Sequence, residues 1–247
     1  MEIKGSKIAF WYPDNPGSIL DLGCNAGEWL KDCSIKWPRA RLAGLDINSE
    51  SLERARTKVP IAEIVEASGD SIPFPDNSFD VVTSFEVIEH IPAELRPKVF
   101  SEVSRVLNNG GLFIFSVPHR GLFHWLDSNN VRHNFSWLYR LLVGKGMRDK
   151  TYESRSEQVV YHEHFNLDEL IALGGRNLEV ENVRRAGLFI YPLMDWLSWP
   201  FYRMKIPQNP IRCLLERIAG WDYTIDYGTF SYGIFCAMRN KKGSRQV

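Results

Sequence analysis

The sequence predicts an α/β protein built on a mostly parallel sheet with helices on both faces. Three observations predict it. Apolar runs of six to eight residues alternate with amphipathic segments five times between residues 18 and 118. The runs are nearly continuously apolar, as strands covered on both faces must be. The first run ends in a glycine turn that leads into a helical pattern. At 247 residues the chain is long enough for a full core.

The elements follow in order. Residues 18–24 read as a first strand and 26–37 as a helix. Residues 41–47, "RLAGLDI", form a second strand. A helix over 49–58 follows, with Asn48 or Ser49 as its cap and Leu52 and Ala55 facing inward. Residues 62–68 are a weaker third strand and 78–85 a fourth. Pro92 suits the start of the next helix, where Leu95, Val99, Phe100, Val103 and Leu107 recur near the helical period. The run Asn108-Asn-Gly-Gly111 stops it, and 112–117 make a fifth strand ended by Pro118. Residues 165–175 read as a helix with a glycine stop, 177–187 as a sixth strand and 230–240 as the last. The whole is one domain, 1–247, with cap or lid insertions at about 119–164 and 188–229. Insertions of that length serve binding more often than packing.

The glycine turn is "DLGCNAG", residues 21–27. Gly23 and Gly27 allow tight turning and close approach of backbone N–H groups to a ligand. A dinucleotide fingerprint needs a further glycine where Asn25 stands. Asp21 places a carboxylate at the mouth, which suits an ammonium and repels a phosphate. The next strand ends in Asp46, placed to accept from two ribose hydroxyls.

With these features the sequence resembles the class I S-adenosylmethionine-dependent methyltransferases, in their broad methyltransferase-domain subgroup. The resemblance covers most of 18–118 and resumes loosely over 162–187 and 230–238. It implies a Rossmann-like seven-stranded sheet with an antiparallel last strand, and S-adenosyl-L-methionine as cofactor. Asp21 and the backbone of Gly23, Cys24, Asn25 and Gly27 would then hold the methionine end. Asp46 would bind the ribose diol and Ile47 would pack on the adenine. In "SGDSIPFPDNSFD" (68–80), Asp70 would accept from the adenine amino group, with Ser71 and Ile72 lining the ring. Ser84, Phe85 and Glu86 would close over the methionine portion.

Methyl transfer from a sulfonium needs alignment, and a hydroxyl acceptor also needs a base. "EVIEHI" places Glu86, Glu89 and His90 on one face if a helical turn starts there. Pocket contact, a structural role and support for a metal are all open for that trio. No metal ligand is assigned. Five of the six histidines lie within 119–164. His119 follows the fifth strand directly, on the edge where α/β crevices open. The candidates for the base are His119, then His162, then His90; His164 reads as a loop-fixing residue.

Loose likeness of 126–142 to enzymes of cell-envelope glycan and glycolipid synthesis implies a sugar or lipid-linked hydroxyl as acceptor, with a quinone or phenol as the alternative. A non-catalytic cofactor-binding or scaffold role is the reading from another class. Thirty basic residues balance thirty acidic ones, and no nucleic-acid module is appended, so nucleic acid is not the expected partner. The aromatic stretch 188–205 is interrupted by Pro192, Asp195 and Pro200, too broken to span a bilayer. It is either a buried cap element or a peripheral membrane contact. Four cysteines without metal or disulfide spacing, and an N-terminus without a long apolar core, lead to the expectation of a cytoplasmic protein, with peripheral contact at the inner membrane face as an addition.

Overall fold

The computed structural model describes residues 11–127, 163–194, 197 and 209–241. The expected seven strands are present: β1 (Ser18–Leu22), β2 (Arg41–Asp46), β3 (Glu63–Glu66), β4 (Phe79–Phe85), β5 (Leu107–Pro118), β6 (Leu178–Ala186) and β7 (Gly233–Asn240). They lie in the order β3-β2-β1-β4-β5-β7-β6. The first five pair in parallel; β7 runs antiparallel to β5, with Tyr232 beside His119 and Asn240 beside Leu107, and β6 runs antiparallel to β7, with Gly187 beside Tyr232 and Asn177 beside Lys241. The order reverses between β1 and β4, and in open α/β sheets ligands sit outside the carboxyl ends of strands at such a switch point.

Three helices connect these parallel strands. They are α1 (Glu28–Lys36), α2 (Ser49–Lys58) and α3 (Arg96–Val106). Helix α2 is capped by Asn48, whose side chain accepts from Ser51 N–H at 3.1 Å. Leu52 and Ala55 point inward and are fully buried, as their spacing predicts. Helix α3 starts later than expected. Pro92 closes a preceding turn by accepting from Leu95 N–H, and Pro97 occupies the first helical turn instead. Proline lacks the N–H that a first turn leaves unpaired anyway, so either position suits it; the turn at 92–95 decides between them.

Strand β5 is also longer than the apolar run implied. Its pairing with β4 goes from Phe79↔Leu107 to Val81↔Leu112, so Asn108-Asn-Gly-Gly111 bulges out of the ladder rather than ending the element. The turn chemistry of that run is real, and Gly110 has φ 75°; the chain uses it to take up extra residues within a strand. On the covered face, Phe100 from α3 sits edge-on to Phe113 and Phe115, at 5.4 and 5.7 Å between centroids. Asn240, fully buried at the end of β7, donates to the carbonyls of Ser104, Leu107 and Asn108, joining the last strand to the α3–β5 junction.

The chain divides into two compact units. The first comprises residues up to Val117, Leu167–Val183 and Phe235 onward; the second comprises Pro118–Asn166 and Arg184–Ile234. Helix α4 (Leu167–Gly174) belongs to the first unit. In the second, the segment after β5 pairs with two partners. His119 N–H donates to Tyr232 O at 2.7 Å, and His119 bridges to Phe165. Helix α5 (Pro210–Asp222) ends in a fully buried aspartate. Asp222 accepts from the backbone N–H groups of Leu188 and Tyr191 and from the hydroxyl of Tyr227. It thereby ties α5 to the start of the helical turn at 190–194. Most of 195–205, part of the expected membrane contact, lies outside the described residues. Among the described residues, no helix is long and apolar enough to cross a membrane.

Candidate functional site

The glycine loop leaves β1 at the switch point and is held against β2. The N–H groups of Gly23 and Cys24 both donate to Leu45 O, at 2.8 and 3.0 Å. Gly23 has φ 78°, and a Cβ there would stand 2.4 Å from a methyl of Val87. Both backbone conformation and space therefore require glycine. Asn25 answers for the glycine expected in its place. It too is left-handed, at φ 45°, a region asparagine tolerates better than most residues. Its N–H donates to Asp46 Oδ2 at 2.9 Å. Gly27, at φ 76°, then opens α1.

Asp46 does more than terminate β2. Its second oxygen accepts from Asn48 N–H at 2.9 Å, so one carboxylate links the loop after β1 to the start of α2. A carboxylate has about four acceptor positions, and these two bonds leave others for a ligand's hydroxyls. Ile47 beside it is partly exposed.

Asp21 is buried in β1 and accepts from Thr83 Oγ1 at 2.8 Å. Burial pushes its carboxyl up to about 7, and the nearby Asp46 adds to that rise, while the Thr83 bond opposes it. Such a group takes up an ammonium ligand readily, because a cation relieves the cost of its buried charge. Burial raises the Cys24 thiol well above its ordinary range, so it remains a neutral thiol in the loop.

The loop between β3 and β4 forms another side. Asp70 accepts from Ser68 and from Lys98, and these bonds hold its carboxyl below the usual range, the Ser68 bond most of all. Ser71 is exposed, whereas Ile72 is buried and its N–H donates to Glu102. Behind this loop stands Arg105 of α3, which the sequence reasoning missed. Its guanidinium donates to the carbonyls of Ile72 and Phe74 and to both Asp76 and Glu102, at 2.8–2.9 Å. An arginine on an amphipathic helix looks like a solvated charge, and no local pattern marks it as a loop staple.

After β4 the trio Glu86, Glu89 and His90 does not share a helical face. Glu86 turns left-handed, at φ 56°. Its carboxylate accepts from Ser116 Oγ at 2.7 Å, which pins it to β5. Residues 88–90 then make a single 3₁₀ turn that buries Glu89 and leaves the His90 side chain 47% exposed. The periodic reading fails because a left-handed residue breaks the helical path at its first member. The ring of Phe85 lies 5.3 Å from that of Trp29 in a T-shaped contact.

His119 lies in the second unit, buried, with Nδ1 2.8 Å from Ser231 O. A carbonyl only accepts, so Nδ1 carries the proton and Nε2 carries the lone pair. Burial lowers its pKa, keeping the ring neutral, although the Ser231 bond opposes this. His164 is buried in the same unit, with Nε2 3.3 Å from Asp127 Oδ2. His162 lies outside the described residues.

The comparisons with known proteins agree on the first unit. Residues 20–115 match the family model described as "Methyltransferase domain". A malonyl-[acyl-carrier protein] O-methyltransferase from Legionella pneumophila is 36% identical over 126 residues, covering 48% of this chain and 44% of that protein. A sterol 24-C-methyltransferase from Gibberella zeae is 34% identical over 126 residues, covering 47% of this chain and 30% of that protein. The match thus spans less than half the length of either relative. Among solved structures, an S-adenosylmethionine-dependent methyltransferase from Mesorhizobium loti superposes with a TM-score of 0.59 at 18% identity, over 96% of this chain and 98% of that one. At that identity the likeness shows the fold. The reversed sheet order, the glycine loop with its two aspartates and the family match over 20–115 make this part of the chain a class I S-adenosylmethionine-dependent methyltransferase domain.

Proposed function

We propose that the protein transfers a methyl group from S-adenosylmethionine to a hydroxyl of a sugar or lipid-linked small molecule. The observation that carries the cofactor assignment is the loop from Asp21 to Gly27 together with Asp46. It offers one buried carboxylate for an ammonium, one half-satisfied carboxylate for a diol, and a turn at Gly23 that a Cβ would fill. When bound, S-adenosylmethionine supplies a methyl group on a cationic sulfur that leaves as a neutral thioether. The chain's own part is to orient and to handle a proton. Asp21 and Asp46 fix the two ends of the ligand, Asp70 accepts from the adenine amino group, and Ile47, Ser71, Ile72, Phe85 and Glu86 complete the surroundings. His119 is the base in this reading, because its neutral ring keeps Nε2 unprotonated to take the acceptor's proton.

An oxygen acceptor is supported by the O-methylating relative from Legionella pneumophila. An apolar or glycan acceptor is supported by the aromatic cluster of the second unit, where Phe123 lies 5.1 Å from Phe189 and Trp125 is 54% exposed. Rings of this kind stack on sugars or cover isoprenoid chains. Calorimetric titration with S-adenosylmethionine and S-adenosylhomocysteine tests the first half. Binding that Asp46→Ala weakens at least tenfold is expected; no binding at millimolar concentration sinks the assignment. Mass spectrometry of a cell extract supplied with methyl-labelled cofactor tests the second half. Label in a glycan or lipid-linked fraction is expected, and label confined to free phenols or quinones excludes the acceptor proposed. His119→Asn is expected to lower kcat while leaving cofactor affinity unchanged.

A further inference from the structure

Two buried donors, one on each side of the strand that carries Asp21, have no partner among the described residues. The hydroxyl of Tyr12 and the indole N–H of Trp29 are both out of contact with solvent and make no hydrogen bond. Tyr12 is 5% exposed. Trp37, whose ring lies 5.0 Å from that of Tyr12, shows the ordinary arrangement, with its indole N–H donating to Asp14 O at 3.1 Å. Leaving a buried donor unmet is costly, so an unmet pair in one place calls for a ligand.

The place is the methionine end of the loop. Trp29 is the second residue of α1, immediately beyond Gly27. The Tyr12 and Trp29 ring centroids are 5.8 Å apart, and Trp29 meets Phe85 at the end of β4. The Asp21 carboxylate is close enough to Tyr12 to act on its phenol electrostatically.

We propose that Tyr12 and Trp29 hold the α-carboxylate of S-adenosylmethionine through the tyrosine hydroxyl and the indole N–H, while Asp21 takes the α-ammonium. The proposal rests on the cofactor reading above. An indole N–H only donates, so its partner must be an acceptor, which neither the cationic sulfonium nor the ammonium is. The carboxylate is the one anionic group of the cofactor. The donors are also neutral. An arginine in their position would pair with Asp21 and cancel the charge that the ammonium requires, whereas aromatic donors serve the carboxylate and leave Asp21 to its own partner. The two ends of a zwitterion thus meet an acceptor on β1 and a donor pair on α1 and the segment before β1.

The test is calorimetric binding to the wild type, Tyr12→Phe and Trp29→Phe of three probes: S-adenosylmethionine, its decarboxylated analogue and 5′-methylthioadenosine. Both substitutions keep an aromatic ring and remove one donor. Each variant is expected to bind S-adenosylmethionine about tenfold more weakly, the usual effect of losing a hydrogen bond to a charged group. Binding of the decarboxylated analogue should not change, and retained 5′-methylthioadenosine binding reports an intact site. Equal losses for the carboxylated and decarboxylated compounds, or no loss for either, overturn the proposal. Wild-type protein that binds none of the three overturns the cofactor reading and this proposal with it.

Discussion

In the role proposed for it, Asp21 trades stability for binding. Its carboxyl titrates near 7 in the folded chain because it is buried, against about 3.9 for an unfolded chain. The folded state therefore binds the extra proton between those values. From this group, stability is highest below the lower value and falls as pH rises through 7. A ligand ammonium needs the ionised form, so affinity should run the other way. Cofactor affinity measured from pH 8 to pH 5.5 is expected to fall roughly tenfold per unit below pH 7. A flat profile would show that Asp21 faces no ammonium. Asp21→Asn keeps an oxygen for Thr83 and removes the buried charge. At pH 8 it should raise the melting temperature of the ligand-free protein while weakening cofactor binding at least tenfold. Asn25 teaches a second residue-scale lesson. A position that looks like a lost glycine can keep glycine's backbone conformation, because asparagine also enters the left-handed region.

Among the elements, α3 carries a function that its amphipathic pattern conceals. Val99, Phe100 and Val103 fill the core, and that face was legible from spacing alone. Arg105, on the same helix, fastens the loop that bears Asp70 through three hydrogen bonds, to Ile72 O, Phe74 O and Asp76, while two more hold Glu102 on its own helix. A lysine keeps the charge and loses the planar fork that reaches several acceptors at once. Arg105→Lys should therefore weaken cofactor binding about threefold to tenfold and lower the melting temperature by about 2–4 °C, as expected of about 1 kcal/mol in a chain of this size. Unchanged affinity in titration would remove Arg105 from the site's support. Elements also explain where the sequence reasoning about Glu86, Glu89 and His90 stopped. Spacing argues for a shared face only if the backbone is helical throughout, and Glu86 is held left-handed by its bonds to Ser116. That conformation is set by β5, thirty residues further along the chain.

At the scale of the whole molecule, the described residues of the second unit are joined by close backbone approaches. Gly121 is the tightest. A Cβ there would meet the carbonyl oxygens of Ser231 and Phe230 at 1.9 and 2.5 Å. Its backbone conformation is not left-handed, so the constraint is space alone. Gly121→Ala must push residues 118–122 away from 230–232. It should lower the melting temperature by several degrees, since overpacking costs about 1–3 kcal/mol. Hydrogen exchange at the amides of His119 and Tyr232 is expected to quicken; protection equal to the wild type would show that the strap gives way without cost.

The sequence by itself determined the order of strands and helices, the glycine loop, the acids Asp21, Asp46 and Asp70, and through them the class of domain. Those signals are local: periodicity within an element, and short spacings around one turn. Tertiary structure alone decided what these residues do to one another. The sheet order sets Thr83 against Asp21 across 62 residues and Arg105 against the loop at 72–76. The fold also brings Tyr12 and Trp29, from the two sides of β1, together as donors with no partner among the described residues. Nothing in the linear chain announces such meetings, because they come from strands that pair out of order, and hydrogen-bond satisfaction is a property of neighbours in space.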